Sequence, residues 1–203
     1  MNENKVDHFE NKSKSWDMNS MRVKNAKSIA DLIVKNIRFN EKMEVMDLGA
    51  GTGLLSYFIS PYVSKIIAVD NSPSMLNEFK RKASEFKSDT EIIEADISNE
   101  KIDRSFDVII SSMTIHHVED TKALFSKLFN MLNGNGSIAI ADLDTENGTF
   151  HSDNTGVYHY GFDRNELEKI AKEVGFKNIK FNLASTIEKP QATFTVFLMT
   201  AEK

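Results

Sequence analysis

The fold is decided by Val45-Met46-Asp47-Leu48-Gly49-Ala50-Gly51-Thr52-Gly53-Leu54, where a short apolar run passes through a glycine-rich turn into a helical pattern. Three of the nine glycines of the chain fall within five positions of this stretch. Glycine lets the backbone turn tightly and lets a ligand approach the main chain closely. Open α/β folds bind ligands at such strand-to-helix turns. The stretch therefore predicts an α/β domain with a ligand site after its first strand.

Short apolar runs alternate with helical patterns along the rest of the chain. Strands are predicted at 43–46, 66–69, 92–93, 106–110, 137–141, 179–183 and 193–199, and helices at 54–59, 72–86, 122–132 and 163–175. The last two strands have no helix between them, so they should form an antiparallel hairpin at one edge. Asn133-Gly134 predicts a left-handed cap that ends the helix at 122–132. The pattern predicts a doubly wound, Rossmann-like, seven-stranded and mostly parallel sheet with helices on both faces.

A length of 203 residues fits a single domain, 1–203. We divide it into an N-terminal helical extension at 1–40, a ligand-binding core at 41–142, an insert at 143–162, and a C-terminal helix and hairpin at 163–203. A helical stripe of apolar residues marks the extension: Val23, Ala26, Ala30, Ile33, Val34 and Ile37.

Composition excludes several classes of function. The chain has no cysteine, which excludes disulfides, thiolate metal sites and a cysteine nucleophile. Its 25 basic and 30 acidic residues give a net charge of −5, and without a dense basic run no nucleic-acid partner is expected. No apolar run approaches the length of a membrane span, and the polar N-terminus has no signal-peptide core, so we expect a cytoplasmic protein without membrane insertion. A monomer or a homodimer is expected.

The spacing of the glycines distinguishes between ligands. Dinucleotide sites require G-x-G-x-x-G, whereas here the third glycine comes one place early, at Gly53, and Leu54 takes its position. A P-loop is absent, because no Gly-Lys-Ser/Thr follows. The acid at the strand end, Asp47, disfavours a phosphate beside it and favours a cation. The loop therefore suits an adenosyl ligand without phosphates.

The segment Asp47–Gly53 resembles the first motif of the class I S-adenosylmethionine-dependent methyltransferases, and the rest of the chain matches that family in order. Asp70 ends the second strand, as the ribose-binding acid does there, and Asp96 follows the third strand, as the acid that accepts the adenine amino group does. The resemblance implies S-adenosyl-L-methionine as the cofactor. It also implies a set of cofactor-binding residues: Asp47, Gly49, Ala50, Gly51, Gly53, Asp70, Asn71, Met75, Ala95, Asp96, Ile97, Ser112, Met113 and Trp16.

Two further segments extend the resemblance. A double histidine, His116-His117, follows the fourth strand, and this is similar to methyltransferases of the quinone-biosynthesis type. Either histidine could be a general base near neutral pH, or a hydrogen-bonded structural residue. The N-terminal Phe9…Trp16 pattern is similar to a bacterial subgroup of small-molecule methyltransferases, in which such a segment folds over the cofactor. The alternative is that these aromatic residues only pack against the first helix.

The insert after the fifth strand is long for a structureless connection, and such loops are often functional. We expect it to cover the acceptor side of the cleft, with His151, Tyr158, His159 and Tyr160 as substrate-binding residues. A metal set of His151, Asp153 and His159 is an alternative, but no helical spacing supports it, and no metal is expected. An exposed loop with incidental histidines is the third interpretation.

The function predicted from these patterns is transfer of a methyl group from S-adenosylmethionine to a small-molecule acceptor by in-line displacement. No Asn/Asp-Pro-Pro-Tyr/Trp tetrad follows the fourth strand, so amino methylation of bases or glutamine is not indicated. Two alternatives from other classes remain open. One is a nicotinamide-dependent oxidoreductase, and the other is a non-catalytic protein of the same fold that binds an adenosyl ligand.

Overall fold

The computed structural model describes residues 7, 9, 10 and 12–203. Its strands are β1 Glu44–Leu48, β2 Lys65–Asp70, β3 Asp89–Glu94, β4 Phe106–Ser112, β5 Leu132–Leu143, β6 Lys177–Lys189 and β7 Ala192–Glu202. Its α-helices are α1 Ser20–Asn36, α2 Leu54–Ile59, α3 Pro73–Arg81, α4 Thr121–Met131 and α5 Arg164–Val174. Short 3₁₀ helices lie at Ser13–Met18, Ser60–Tyr62, Ala83–Glu85 and Ile115–His117.

The seven strands form one sheet in the order β3-β2-β1-β4-β5-β7-β6. The pairs among β1 to β5 are parallel, whereas β7 runs antiparallel to both β5 and β6. The predicted fold class and the C-terminal edge hairpin are therefore confirmed. The order reverses between β1 and β4, and ligands of open α/β sheets bind at such a switch point. No helix within the described part of the chain is both long and apolar enough to cross a bilayer.

Side chains that alternate along the buried strands build two cores, one on each face of the sheet. In β1, Val45 packs with the helices α1 and α2, and Met46 packs with α4 and α5. Both side chains are fully buried. Because successive side chains of a strand point to opposite faces, one apolar run supplies both cores.

The helix starts follow from capping residues. The side chains of Ser72, Asp120 and Asp163 each accept a hydrogen bond from a backbone N–H in the first turn of the following helix. These contacts satisfy donors that have no partner inside the helix. At the other end of α5, Gly175 ends the helix in a left-handed conformation with φ of 118°.

Two predicted helix ends are wrong. Asn133-Gly134 does not form a left-handed cap, because α4 ends at Met131 and Leu132 is already extended, with φ of −84° and ψ of 142°. Leu132 is buried and pairs with Phe106 of β4, so strand pairing outweighs the local turn preference of the glycine. In addition, α3 ends at Arg81 rather than continuing to residue 86, since a 3₁₀ turn follows it.

Candidate functional site

The glycine loop lies between β1 and α2, and its three glycines all have left-handed backbones, with φ of 68° at Gly49, 54° at Gly51 and 86° at Gly53. A Cβ on Gly49 would lie 2.2 Å from the Thr114 side chain, and one on Gly53 would lie 2.6 Å from the Phe79 ring. A Cβ on Gly51 would meet no atom closer than 4.0 Å. Two glycines therefore permit close packing, and the third leaves open space on the face of the loop.

Asp47 lies at the end of β1, and its carboxylate is buried with 1% of its surface exposed. The Ser56 hydroxyl donates a hydrogen bond of 2.6 Å to it. Burial, followed by the negative charge of Asp70, raises the pKa of Asp47 to about 7, although the Ser56 hydrogen bond acts in the opposite direction. A buried acid with a raised pKa is typical of a functional site, because an approaching cation would stabilise its charged form.

Asp70 ends β2 and joins the glycine loop to the start of α3. Its carboxylate accepts hydrogen bonds from the backbone N–H groups of Gly51, at 2.8 Å, and Ser72, at 2.9 Å. Burial raises its pKa in spite of these bonds. A carboxylate can accept about four hydrogen bonds, so capacity remains for hydroxyl donors. The next residue, Asn71, is exposed beside it.

Asp96 follows β3 and caps a turn. One of its oxygens accepts a hydrogen bond from the Ser98 N–H and the other from the Asn99 side chain, both at 2.9 Å. Its neighbours Ala95 and Ile97 are buried. The carboxylate is therefore engaged locally in this structure, and an adenine contact would be additional to these two bonds.

The end of β4 closes the cleft on the other side of β1. Met113 has φ of 56°, which is uncommon outside glycine and marks local strain. Its N–H donates to the Ala141 carbonyl at 2.8 Å. Ser112 precedes it and is partly exposed, whereas Met75 of α3 is buried. Strained backbone of this kind is concentrated at functional sites.

The described residues of the N-terminal segment cross the site. Asp7 accepts hydrogen bonds from the Ser72 hydroxyl, at 2.8 Å, and the Ser74 N–H, at 3.0 Å, at the start of α3. Asp17 accepts a hydrogen bond from the Thr52 hydroxyl of the glycine loop and also pairs with Lys82. The segment is therefore fixed to both the loop and α3.

Two aromatic residues of the same segment connect it to the double histidine. The Phe9 ring packs edge-on against Trp16, with 5.8 Å between centroids, and against His117, with 6.2 Å. The guanidinium of Arg22 in α1 lies 3.7 Å from the Trp16 ring centroid. The aromatic pair thus contacts the predicted site, as the lid hypothesis requires, and Trp16 also contacts α1, as the packing hypothesis requires.

His116 and Asp142 form a buried pair. His116 Nδ1 lies 2.7 Å from Asp142 Oδ1, and the two side chains are 1% and 0% exposed. Burial would raise the pKa of Asp142, but the charge of His116 and its hydrogen bonds hold that pKa below its usual value. His116 Nε2 is buried and has no hydrogen-bond partner. This arrangement fixes the ring through Nδ1 and leaves the second nitrogen able to accept a proton.

Asp142 is a site residue that was not predicted from the sequence. Its signal was an acid in the apolar run Ile138-Ala139-Ile140-Ala141-Asp142-Leu143, because a charged residue on a buried strand requires a partner. The partner, His116, lies in the 3₁₀ helix that follows β4, and β4 pairs with the strand of Asp142 through Ser112 and Ala141.

His151 completes a cluster of three imidazoles. Its ring centroid lies 5.0 Å from that of His116 and 6.0 Å from that of His117. Burial, followed by the positive charges of His116, His117 and Lys189, lowers the pKa of His151 to about 4. His151 is therefore neutral at pH 7, and its Nε2 is buried with no hydrogen-bond partner. His117 differs, because its Nδ1 lies 2.7 Å from the Gly156 carbonyl.

The other predicted substrate-binding residues lie differently. His159 Nε2 lies 3.0 Å from the Val118 carbonyl and 3.1 Å from the Glu119 carbonyl, so this ring ties the insert to the backbone before α4. Tyr158 and Tyr160 are 57% and 46% exposed. Within residues 7, 9, 10 and 12–203, no group of three or more His, Asp or Glu side chains is arranged to hold a metal ion.

Comparisons with known proteins match this geometry. A family model described as a methyltransferase domain matches residues 45–136, which include the glycine loop, Asp70 and Asp96. This match confirms the resemblance of the chain to the class I S-adenosylmethionine-dependent methyltransferases. The match, and solved structures of this fold that hold S-adenosylmethionine or S-adenosylhomocysteine, support S-adenosylmethionine rather than a nicotinamide as the cofactor. Open space on the face of Gly51 and the unused acceptor capacity of Asp70 fit this cofactor.

Among the curated relatives, an uncharacterized methyltransferase of Schizosaccharomyces pombe is 29% identical over 180 residues, which cover 80% of this chain and 62% of that protein. The malonyl-[acyl-carrier protein] O-methyltransferase of Priestia megaterium is 30% identical over 129 residues, which cover 61% of this chain and 46% of that protein. The chain thus spans less than two thirds of the length of each of these two relatives.

Solved structures show the same fold at lower identity. The DhpI–S-adenosylhomocysteine complex is similar with a TM-score of 0.72 and 17% identity, and the match covers 96% of this chain and 92% of that one. A phosphoethanolamine N-methyltransferase of Haemonchus contortus, bound to phosphomonomethylethanolamine and S-adenosylhomocysteine, has a TM-score of 0.68 and 17% identity over 98% of this chain and 60% of that one.

Proposed function

We propose that the chain transfers a methyl group from S-adenosylmethionine to a small-molecule acceptor, and that the cleft between the glycine loop and the histidine cluster is its active site. The observation that carries the proposal is the juxtaposition of two features. One is a preformed glycine loop, tied to Asp70 through Gly51. The other is a buried His116–Asp142 pair with an unpartnered ring nitrogen. The first suits an adenosyl cofactor, and the second suits an acceptor that loses a proton.

The cofactor-binding residues take distinct roles in this proposal. Asp70 accepts the ribose hydroxyls, and Asp96, with Ala95 and Ile97, borders the adenine. The glycine loop faces the methionine end, where the buried carboxylate of Asp47 favours the cationic groups. When bound, S-adenosylmethionine supplies an electrophilic methyl group on a sulfonium. Asn71, Met75, Ser112 and Met113 complete the walls, and Trp16 covers them.

On the acceptor side, His116 acts as the general base. Asp142 holds the Nδ1–H of His116, which fixes the ring and leaves Nε2 to take the proton of the attacking group. His117 is the alternative base of this cluster. Neutral His151 is a hydrogen-bonding neighbour, whereas His159, Tyr158 and Tyr160 border the site from the insert. The enzyme's main contribution is to hold the two reactants in line at about 3 Å.

A small acceptor is favoured by the contacts above the cleft. Phe9 packs on both Trp16 and His117, so the N-terminal segment restricts access to the histidines. A net charge of −5 opposes binding of nucleic acid. Among the methyltransferases of similar sequence or fold, one is named a malonyl-[acyl-carrier protein] O-methyltransferase and another a phosphoethanolamine N-methyltransferase. A cytoplasmic location and a monomeric or homodimeric state are part of the same proposal.

The test is a turnover assay that detects S-adenosylhomocysteine after incubation with S-adenosylmethionine and one acceptor at a time. The acceptors are small hydroxylated and amino compounds, with a transfer RNA and a denatured protein as macromolecular comparisons. We expect turnover with small acceptors, and we expect His116→Gln to reduce kcat about 100-fold without weakening S-adenosylhomocysteine binding. Turnover confined to the macromolecules would contradict the small-molecule proposal. S-adenosylhomocysteine binding without any turnover would favour the non-catalytic alternative.

A further inference from the structure

Two half-buried cations lie at the acceptor side of the cleft. Arg22 is in the first turn of α1, and Lys189 is the last residue of β6. The two elements are joined close by, because Ser185 of β6 donates a hydrogen bond to Asn25 of α1. Burial lowers the pKa of both side chains, and the positive charge of Arg22 lowers that of Lys189 further. The two cations therefore lie near enough to repel each other.

Neither cation has an acidic partner in the described part of the chain. Ion pairs there involve other residues, and no side chain of the described residues accepts a hydrogen bond from the Arg22 guanidinium. Arg22 instead lies over the Trp16 ring, and Lys189 lies 3.8 Å from the Phe150 ring centroid and donates to the Phe150 carbonyl. Partly burying a cation without an acidic partner is unfavourable, so two such cations on neighbouring elements require an explanation.

Glu146 is an acid close to Lys189, but it does not neutralise the two cations. Its negative charge raises the pKa of Lys189 and so opposes the effect of burial, but the two side chains do not form an ion pair. One Glu146 oxygen accepts hydrogen bonds from the backbone N–H groups of Thr149, at 2.7 Å, and Phe150, at 3.1 Å. The other oxygen is buried without a partner. The Glu146 carboxylate, already bonded to the insert, thus acts on Lys189 without pairing with it, and no acid of the described residues pairs with Arg22.

The cations are connected to the proposed catalytic pair through the insert. Phe150, which contacts Lys189, packs edge-on against His151 with 4.9 Å between centroids. His151 in turn lies 5.0 Å from His116. On the other side, Trp16 links Arg22 to Phe9, which contacts His117. Both routes lead to the histidine cluster, so the two cations and His116 lie on the same side of the fold, linked by packed side chains.

We propose that Arg22 and Lys189 form the binding site for an anionic group of the methyl acceptor, a carboxylate or a phosphate. This inference rests on the proposed function and specifies its substrate class. The guanidinium can bind either anion through two parallel hydrogen bonds, and the ammonium has N–H donors beyond the one that the Phe150 carbonyl uses. The acceptor is thus a small acid that presents a hydroxyl or amino group to His116 at the other end.

Trp16 provides the measurement, because it is the only tryptophan of the chain and its ring contacts Arg22. The protein is saturated with S-adenosylhomocysteine, and its tryptophan fluorescence is followed during titration with sodium phosphate, sodium benzoate and, for ionic strength, sodium chloride. We expect a saturable change with phosphate or benzoate in the millimolar range and none with chloride. Tighter binding of phosphate would indicate an acceptor with a phosphate group, and tighter binding of benzoate would indicate an acceptor with a carboxylate.

Lys189→Gln tests the site itself, because it removes a cation without touching Trp16. We expect it to weaken anion binding about tenfold, the size of one lost charge-assisted hydrogen bond. Lys24→Gln is the matched control, because Lys24 is an exposed cation of α1, the helix that contains Arg22. This variant should leave the affinity for the anions unchanged. Arg22→Gln, followed by calorimetry because it alters the surroundings of Trp16, should weaken binding at least as much as Lys189→Gln.

The outcomes separate this inference from the proposed function. If S-adenosylhomocysteine binds but neither anion gives a saturable change, the anionic-acceptor inference is wrong and the methyltransferase proposal stands. The inference is also wrong if Lys189→Gln and Arg22→Gln both bind the anions as wild type does, which would make the wild-type signal an adventitious ion only. If S-adenosylhomocysteine itself does not bind, the proposed function fails first.

Discussion

Replacing Asp47 by asparagine should stabilise the protein, and by an amount that depends on pH. The carboxylate is buried beneath the glycine loop with the Ser56 hydroxyl as its hydrogen-bond donor. Burial and the charge of Asp70 raise its pKa to about 7 from the usual 3.8. Asparagine has nearly the same shape and can still accept the Ser56 hydrogen bond, but it carries no charge. The substitution therefore removes the ionisation of a buried group with little change in packing.

The magnitude follows from the gap between the two pKa values. Between about pH 4 and pH 7 the folded protein keeps the Asp47 proton that the unfolded chain has lost, so Asp47 makes stability fall as pH rises. A difference of about 3 between the two pKa values lowers the free energy of unfolding by about 4 kcal/mol at pH 7 and above, since a difference of one is worth about 1.4 kcal/mol. At pH 5 the same linkage predicts that Asp47 lowers the free energy of unfolding by only about 1–2 kcal/mol.

The assay is urea unfolding of wild type and Asp47→Asn between about pH 5 and pH 8, followed by circular dichroism. Taking the difference between the two proteins at each pH cancels the contributions of the titrating groups that do not interact with Asp47. We expect the free energy of unfolding of Asp47→Asn to exceed that of wild type by a margin that grows by about 2–3 kcal/mol over this range and then levels off. A difference that stays constant with pH would refute the assignment of a raised pKa to Asp47.

Three further substitutions test the loop, the histidine pair and a helix end. Gly49→Ala places a Cβ 2.2 Å from the Thr114 side chain, so calorimetry should show S-adenosylhomocysteine affinity reduced about 100-fold, and an unchanged affinity would contradict the loop geometry. Asp142→Asn removes the carboxylate that fixes His116, so kcat should fall about 100-fold at unchanged S-adenosylhomocysteine affinity; equal kcat would dismiss His116 as the base. Gly175→Ala forces a side chain to φ of 118°, and urea unfolding should show a loss of about 1 kcal/mol or more, whereas equal stability would argue against a left-handed cap.

Local patterns were sufficient to predict most of the fold. The strand-loop-helix unit around Gly49, the proline-started helix after Ser72 and the cap at Gly175 each depend on residues close together in sequence. The C-terminal hairpin followed from the absence of a helix between two apolar runs. The end of α4 was predicted wrongly because the turn preference of Asn133-Gly134 is local, whereas the strand pairing of Leu132 with Phe106 is not.

The site was predictable only in part, for the same reason. Residues of the glycine loop and the acids at strand ends form a pattern that a single chain displays. The partner of His116 could not be named, since Asp142 reaches it through the parallel pairing of β4 and β5. Arg22 and Lys189 are near opposite ends of the sequence and come within electrostatic range because β6 packs against α1. His159 matched a substrate-binding pattern, yet its ring bonds to backbone carbonyls before α4.

The most direct test of the central claim is a calorimetric titration with S-adenosylhomocysteine, made with wild type, Asp70→Asn and Asp89→Asn. Asp70 holds the glycine loop through Gly51, whereas Asp89 is an exposed acid at the start of β3 and serves as the control. We predict micromolar binding by wild type and Asp89→Asn, and binding at least about tenfold weaker by Asp70→Asn. Absence of binding by the folded wild-type protein, or equal affinity of all three proteins, would contradict the assignment of this cleft as the cofactor site.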